Sequence, residues 1–555
     1  NIFAHARTTE FSRYMESLLE EICKVDTTPN ADVSVMGRAE SAVFDVLDRE
    51  LRTLPFEEMR IERRPINPAI QSHANFSLLH FTKTPERPRG LSVEDAYRGR
   101  SNMVCVLPGR PTANGGSSVA LNSHVDVVAP FFPPRLSDGV MHGRGSCDDK
   151  GAVVATIAAM KILAAVMPAA GLRWNRNVIL MFVIEEEPGG NGSLSLAIDR
   201  DLKALYDTIL VGECTDREIH PANRGAVWYR AELRSSNAPL LEMFAFVNEE
   251  LEKEGEAIWT ESRHALFPQR PVQTCHGMIG HFGEHPSRIC GEVSFAINFE
   301  RDPGERAAVL VGDCIDTAIK GYVGRYGDKT KVTDPLTGKP KVDHHFDVKR
   351  HGNRFVVGVH GSTGHMGSIR ENDGAITKMA WIIRQLVYCR PRLEAIGGRF
   401  TLDLAGQATG DRLVLEGGQG FVPTHDIREV MRRMECAAAR GAETYLRRIG
   451  RKDSGADAVH MTYEKLHNVA FDGDPIAAAR ACGFWREQPV MGWTVSCDSR
   501  LFATEYPGMP VLTFGAGKLA HAHADNEQIN MDELRSAAEF LAIFLLRHTG
   551  TAQIP

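Results

Sequence analysis

Apolar runs of strand length alternate with apolar runs of helix length in the first part of the chain, and this alternation restricts the fold more than any other feature. Strand candidates are Asn102–Leu107, Ser118–Asn122, Asn177–Ile184 and Thr208–Gly212, and helix candidates are Gly151–Val166 and Ser193–Tyr206. Strands separated by helices pair in parallel, because the helix carries the chain back across the sheet. The expectation is an α/β fold with a mostly parallel sheet flanked by helices. An amphipathic helix precedes it, with Phe11, Tyr14, Met15, Leu18, Leu19 and Ile22 at three- and four-residue steps. A Pro-rich and charge-rich region runs from Pro55 to Arg100. After residue 470 the α/β rhythm returns, with a strand at Pro510–Phe514 and a closing helix at Met531–Arg547.

Between these parts the rhythm changes. Two stretches, Trp228 to Lys320 and Phe355 to Ile449, each read strand, long helix, glycine-containing turn, strand with Pro, helix. The first has helices Ala238–Glu254 and Glu305–Ile319 around a turn at Gly280–Pro286. The second has helices Gly374–Val387 and Asp426–Arg448 around a turn at Gly417–Pro423. An internal duplication and two unrelated α+β segments both account for this pattern. The chain therefore divides into residues 1–228 and 468–555, two parts of one domain, and an inserted α+β domain at 229–467.

The composition suits a large buried core: 43% of the 555 residues are hydrophobic and 24% charged. A net charge of −7 gives no reason to expect a nucleic-acid partner or an anionic membrane surface. The most apolar stretch, Gly151 to Met160, is cut by Lys161 and then Pro168, short of a spanning segment. Residues Asn1 to Arg13 lack the basic-then-apolar layout of a signal peptide, while the missing initiator Met leaves a removed leader open. Eleven cysteines, an odd number without a Cys-x-x-Cys spacing, predict reduced thiols and a cytoplasmic protein.

His, Asp and Glu gather at five places: His124-Val125-Asp126, the Gly143–Gly151 string with Asp148, Glu185-Glu186-Glu187, Glu213, and His521 with His523. Four of the five follow a predicted strand, and the fifth opens a crossover helix. In a parallel sheet those strand ends share one edge, where α/β ligand sites form. Imidazole with carboxylate is the donor mix for catalytic zinc or a similar divalent metal. Three carboxylates and two imidazoles exceed what one tetrahedral ion needs, so two ions fit, with one carboxylate shared. Asp148, Glu187 and Glu213 carry three negative charges, which two divalent ions and a bridging hydroxide balance to zero. His124 and Asp126 point the same way in an extended segment, so Asp126 can accept the imidazole N–H. Of Glu186 and Glu187, one can bind metal while the other faces the bound water as general base. Each signal alone reads as structure: a His-x-Asp, a solvated Glu run, a helix cap. Their order on one edge favours function.

These residues resemble the di-zinc amidohydrolase and peptidase family that includes carboxypeptidase G, succinyl-diaminopimelate desuccinylase, acetylornithine deacetylase, aminoacylase and the dipeptidases of the PepV and carnosinase type. The resemblance is close over 118–225 and 490–530. It is most specific at Gly143-Arg144-Gly145-x-x-Asp148-x-Lys150-Gly151 and His523-Ala524-Asp525-Asn526-Glu527. It implies two divalent metal ions, Zn2+ with Co2+ or Mn2+ as alternatives. His124, Asp148, Glu187, Glu213 and His523 would be the ligands. Asp148 would be shared and followed by a cis peptide bond, and Asp126 would orient His124. It implies hydrolysis of an amide of a peptide or N-acyl amino acid by a metal-bridging hydroxide, with Glu186 as general base. His521 is then a spare, or the ligand if the register is off by two. His365, in Gly361-Ser362-Thr363-Gly364-His365, would stabilise the oxyanion and contact substrate from the inserted domain. Arg500, in Ser496-Cys497-Asp498-Ser499-Arg500, would pair with a substrate carboxylate, or else with Asp498. Asn223 would be a further substrate contact.

The chain departs from the family pattern in two places. Gly367-Ser368-Ile369 stands where a Pro is expected after His365, and Gly420 stands where an Asn normally reaches substrate. Both bear on lid recognition more than on metal chemistry. The enlarged insert implies a monomer with a pseudo-dimeric lid, or a homodimer. The Gly-x-Ser-x-Gly of a serine hydrolase and the phosphate-binding Gly-x-x-x-x-Gly-Lys-Ser/Thr are absent. A non-catalytic binding protein on the same fold is the remaining alternative.

Overall fold

The computed structural model of the chain describes residues 1–554 except 57, 112–115, 237, 287, 335–337, 367–372, 407–409 and 468–489. The segment Gly367-Ser368-Ile369 and the expected boundary at 467/468 lie outside or at the edge of the described residues. The chain forms two compact units: Asn1–Ala226 with His264–Gln269 and Glu464–Pro555, and Val227–Arg263 with Arg270–Tyr463.

The first unit is built on strands β1 (Arg60–Pro65), β2 (Ser101–Leu107), β3 (Val119–His124), β4 (Val178–Val183), β5 (Thr208–Gly212) and β14 (Val511–Phe514), with β6 to β13 belonging to the second unit. Their order in the sheet is β1-β2-β4-β3-β5-β14. β4, β3, β5 and β14 run parallel. β1 and β2 run antiparallel on one edge, so Asn102–Leu107, expected among the parallel strands, is an antiparallel neighbour of β4. β1 was hidden in the Pro- and charge-rich region, because an exposed edge strand reading Arg-Ile-Glu-Arg-Arg-Pro carries little apolar signal.

Every residue of β3, β4 and β5 is buried, which is why β4 reads as a continuous apolar run and β3 and β5 carry shorter ones at Val119–Leu121 and Ile209–Val211. The two-residue period sends Val178, Leu180 and Phe182 to one core and Ile179, Met181 and Val183 to the other. The larger core holds α1 (Thr9–Cys23), α2 (Val33–Arg52), α3 (Lys150–Ala169) and α10 (Met531–Thr549). α3 is long and apolar enough to cross a membrane by length and composition, with a mean hydropathy of 2.0, yet 67% of that window is buried inside the fold. It is a core helix covered on nearly all sides. The expected helix Ser193–Tyr206 is two short helices, α4 (Asn191–Ala197) and α5 (Arg200–Lys203). Asp199 breaks the run by capping α5, its side chain accepting the Leu202 N–H.

The second unit holds two four-stranded sheets. One has the order β7-β12-β6-β13, from β6 (Gly225–Arg234), β7 (Thr274–Ile279), β12 (Arg412–Phe421) and β13 (Val459–His467). The other has the order β9-β10-β8-β11, from β8 (Glu292–Phe299), β9 (Phe346–His351), β10 (Arg354–His360) and β11 (Phe400–Leu404). Chain order gives each the same plan. The first reads β6-α6-β7, then β12-α9-β13, with α6 (Leu240–Glu261) and α9 (Ile427–Arg448). The second reads β8-α7-β9-β10-α8-β11, with α7 (Gly304–Tyr326) and α8 (Ala375–Tyr388). Both are βαββαβ arrangements with the last strand beside the first. The repeated layout is therefore nested, one copy inserted between β7 and β12 of the other, where two tandem stretches were expected. Gly417 to Phe421, expected as a turn, lie inside β12. A Cβ at Gly417 would sit 2.2 Å from the Cys275 carbonyl oxygen, so glycine there admits the neighbouring strand.

Candidate active site

The carboxyl ends of the parallel strands converge as the alternation predicts. His124 ends β3, Glu186 and Glu187 follow β4, Glu213 follows β5, and His523 lies beyond β14. Asp148 stands just before α3. All six side chains are buried, from 2% exposed for His124 to 8% for Asp148. Buried titratable groups must pair or bind a cation, and here they do the first in a way that suits the second.

His124 Nε2 lies 3.2 Å from one oxygen of Asp148, and His523 Nε2 lies 3.3 Å from the other. His523 Nε2 is also 2.8 Å from Glu187 Oε1. Donor atoms of His124, Asp148 and Glu213 fall within 4.8 Å of one another, and so do those of Asp148, Glu187 and His523. Asp148 belongs to both groups. A third group, His124 with Glu186 and Glu187, overlaps them. Burial raises the Glu213 carboxyl well above its usual range, and Asp148, Asp149 and Glu186 add to the effect. Burial raises Glu187 as well, against the opposing pull of His523. Burial would raise Asp148, but His124 and His523 outweigh it and hold this carboxyl low. Burial depresses His523, but Glu187 and Asp148 reverse this and lift it to about 9. The donor set is imidazole and carboxylate, with a surplus of negative charge in a buried place. That chemistry fits divalent cations held by His124, Asp148, Glu187, Glu213 and His523.

The supporting contacts explain how the chain holds these side chains. Asp126 is buried, and its two oxygens accept the backbone N–H groups of Glu186 at 3.0 Å and Glu187 at 2.9 Å. His124 Nδ1 donates to the Asp126 carbonyl oxygen at 3.0 Å, while the Asp126 carboxylate is 3.6 Å away. Asp126 thus orients the ring mainly through its backbone and spends its carboxylate on the glutamate loop, which the expected carboxylate–imidazole contact did not include. Glu185, the first of the three glutamates, faces inward: it bonds the Tyr97 hydroxyl at 2.5 Å and Arg100 Nη1 at 2.6 Å. A Cβ at Gly192 would lie 2.0 Å from the Ile184 carbonyl oxygen, so only glycine lets α4 start this close to β4. The peptide bond between Asp148 and Asp149 is cis.

Glu527 is the residue that sequence reasoning passed over. Its Oε1 accepts the N–H groups of Gly145 at 2.9 Å, Cys147 at 3.1 Å and Asp148 at 3.1 Å, and its Oε2 pairs with Arg144 Nη1 at 2.5 Å. The loop carrying Asp148 is folded around this one carboxylate. The signal was present, since Arg144 and Glu527 sit in the two most specific strings of the sequence.

Several expected residues lie elsewhere. Arg500 has no exposed surface and donates Nη2 to the Gly189 carbonyl oxygen at 2.9 Å. A Cβ at Gly190 would meet both Asp498 Oδ1, at 2.4 Å, and Arg500 Nη2, at 3.0 Å. Arg500 therefore braces the loop after Glu187, beside Asp498, and as placed offers nothing to a substrate carboxylate. Asn223 is also fully buried, with Nδ2 donating to the Arg224 carbonyl oxygen at 2.9 Å, so it too has no surface for substrate. His521 is half-buried and belongs to none of the metal-type groups among the described residues. His365 lies in the second unit, buried, on a strand bridge with Arg288.

Comparison with known proteins agrees with this geometry. The sequence model of peptidase family M20/M25/M40 matches residues 120–547. A peptidase M20 domain-containing protein of Schizosaccharomyces pombe is 35% identical over 150 residues, covering 26% of this chain and 35% of that protein. A protein described as a probable carboxypeptidase of Arthroderma benhamiae is 30% identical over 149 residues, covering 25% and 31%. The matched stretches thus span about a third of the length of these relatives. Among solved structures, human carnosine dipeptidase 1 aligns over 99% of both chains with a TM-score of 0.56 at 13% identity. The dipeptidase Dug1p of Saccharomyces cerevisiae aligns over 99% of this chain and 98% of its own, with a TM-score of 0.54 at 11% identity. These two likenesses are of fold.

Proposed function

The chain belongs to peptidase family M20/M25/M40, and on that premise we propose that it is a metal-dependent hydrolase of an amide bond in a peptide or N-acyl amino acid. The observation that carries the reading is the pair of buried donor groups sharing Asp148. His124, Asp148 and Glu213 would hold one divalent ion, and Asp148, Glu187 and His523 a second, Zn2+ in the first place and Co2+ or Mn2+ as substitutes. When bound, such ions acidify water and polarise a carbonyl.

The remaining roles fall to the chain's own groups. Glu186 sits beside the donors without being needed by either group, so it takes the proton of the attacking water and delivers it to the leaving nitrogen. Asp126, with one oxygen on each of two successive amides, keeps Glu186 and Glu187 in fixed register. His365 supplies a donor to the developing oxyanion, a role that rests on the sequence resemblance. The doubled βαββαβ plan of the second unit supports a monomer whose lid is pseudo-dimeric over a homodimer. A reducing, cytoplasmic setting belongs to the same proposal, supported by ten described cysteines that are all free thiols.

The test is hydrolysis of a panel of dipeptides, longer peptides and N-acyl amino acids before and after chelation, with Zn2+ added back. The reading predicts turnover that chelation abolishes and Zn2+ restores. Metal bound without turnover on any substrate class would favour a binding protein. Turnover that survives full metal removal would refute the proposal.

A further inference from the structure

The second unit carries a group of side chains that the proposed reaction does not use. His344, Asp347 and His360 each offer one donor atom, and the three atoms lie within 4.8 Å of one another. Asp347 is on β9 and His360 on β10, in an antiparallel pair that sets Asp347 opposite Gly358. His360 is two residues from Gly358 and so on the same face. Gly358 makes the diagonal contact possible: a Cβ there would lie 2.7 Å from Asp347 Oδ2. With no side chain in the way, the carboxylate leans across to His360 Nε2 at 2.8 Å. His344, on the segment leading into β9, packs its ring edge to face with that of His360, centroids 4.5 Å apart.

The setting suits a cation. Lys378 Nζ bonds the His360 carbonyl oxygen, but Asp373 neutralises it at 2.6 Å. The adjacent His345 is engaged elsewhere, with Asp328 at 3.2 Å and Lys378 at 3.1 Å. Two imidazoles and one carboxylate, reachable from solvent, match three-ligand zinc sites that leave one position to water.

We propose that His344, Asp347 and His360 bind a divalent transition metal ion, Zn2+ foremost, within the second unit. The ion ties the segment before β9 to strand β10. Asp347 and His360 come from backbone positions already fixed by strand pairing, and His344 lies two residues before β9, so little ordering is required on binding.

The experiment is equilibrium dialysis of the full chain against Zn2+ alone, with metal per chain counted by elemental mass spectrometry. Wild type is compared with a His344→Ala/His360→Ala variant and with the milder Asp347→Asn. All three positions are at or near the surface, and thermal melts confirm folding. The expected result is one equivalent fewer in the double variant, a weakened last equivalent in Asp347→Asn, and unchanged peptide hydrolysis at saturating metal. With Co2+, the wild-type-minus-variant spectrum shows a visible d–d band. Because the readout is a difference between chains, it stands whether or not the active-site reading holds. Equal metal content in wild type and double variant overturns the proposal.

Discussion

Glu527→Gln tests whether one buried carboxylate holds the Asp148 loop. In the wild type its Oε1 serves three backbone amides and its Oε2 meets Arg144, and both side chains are 0% exposed. The amide keeps one acceptor for the loop but turns the other oxygen into a donor facing a buried guanidinium. Removing one partner of a buried ion pair costs about 3–5 kcal/mol, and the retained carbonyl places this change near ~3 kcal/mol. For a unit of this size each kcal/mol moves the midpoint by about 2 °C, so the first unit's transition falls by ~6 °C. Differential scanning calorimetry reads this, with metal content measured on the same samples, which should fall because Asp148 is displaced. Arg144→Met combined with Glu527→Gln removes both charges and recovers part of the loss. A Glu527→Gln protein that melts within about 1 °C of wild type with full metal content would refute the reasoning.

Other consequences are as direct. Glu186→Gln keeps its metal and loses about 10²- to 10⁴-fold in kcat, measured by steady-state hydrolysis with elemental analysis in parallel. His523→Ala loses metal while His521→Ala does not, which fixes the register of that histidine pair by metal counting. Gly192→Ala sets a Cβ 2.0 Å from the Ile184 carbonyl oxygen and destabilises by about 1–3 kcal/mol or more, read by urea unfolding. His220 is buried, and burial pulls its pKa down to about 4 from an unfolded value near 6.5. The unfolded chain then binds the extra proton, so this stability is complete above about pH 6.5 and is lost as pH falls toward 4, by up to ~3 kcal/mol. His220→Asn flattens that part of the stability profile, and identical profiles for variant and wild type would count against the assignment.

The sheet was legible because β3, β4 and β5 are buried on both faces, so each carries an apolar run, Val119–Leu121, Val178–Val183 and Ile209–Val211. The site was legible because α/β topology sends strand ends to one edge, so spacing in sequence mattered less than position after a strand. What the sequence hid has physical causes. β1 lies at an exposed edge and needs no apolar pattern. Asp199 splits one helical run because its carboxylate caps the second piece. The nesting of the two βαββαβ sheets depends on β7 pairing with β12 across more than a hundred residues, and local periodicity carries nothing about that. Glu527 binds three backbone amides, which every sequence contains, so only its Arg144 partner was visible as a residue type, and nothing in the sequence paired the two strings that carry them. Arg500 matched by motif, but a motif does not report which way a guanidinium is turned.

The central claim is that Asp148 joins two metal positions, one completed by His124 and Glu213 and the other by Glu187 and His523. Anomalous diffraction at the zinc edge from crystals of the full chain tests it directly. The account predicts two peaks, each about 2.0–2.3 Å from its ligand atoms, with Asp148 contacting both. Zinc-loaded crystals with no peak between these side chains, or with Asp148 contacting none, would contradict it.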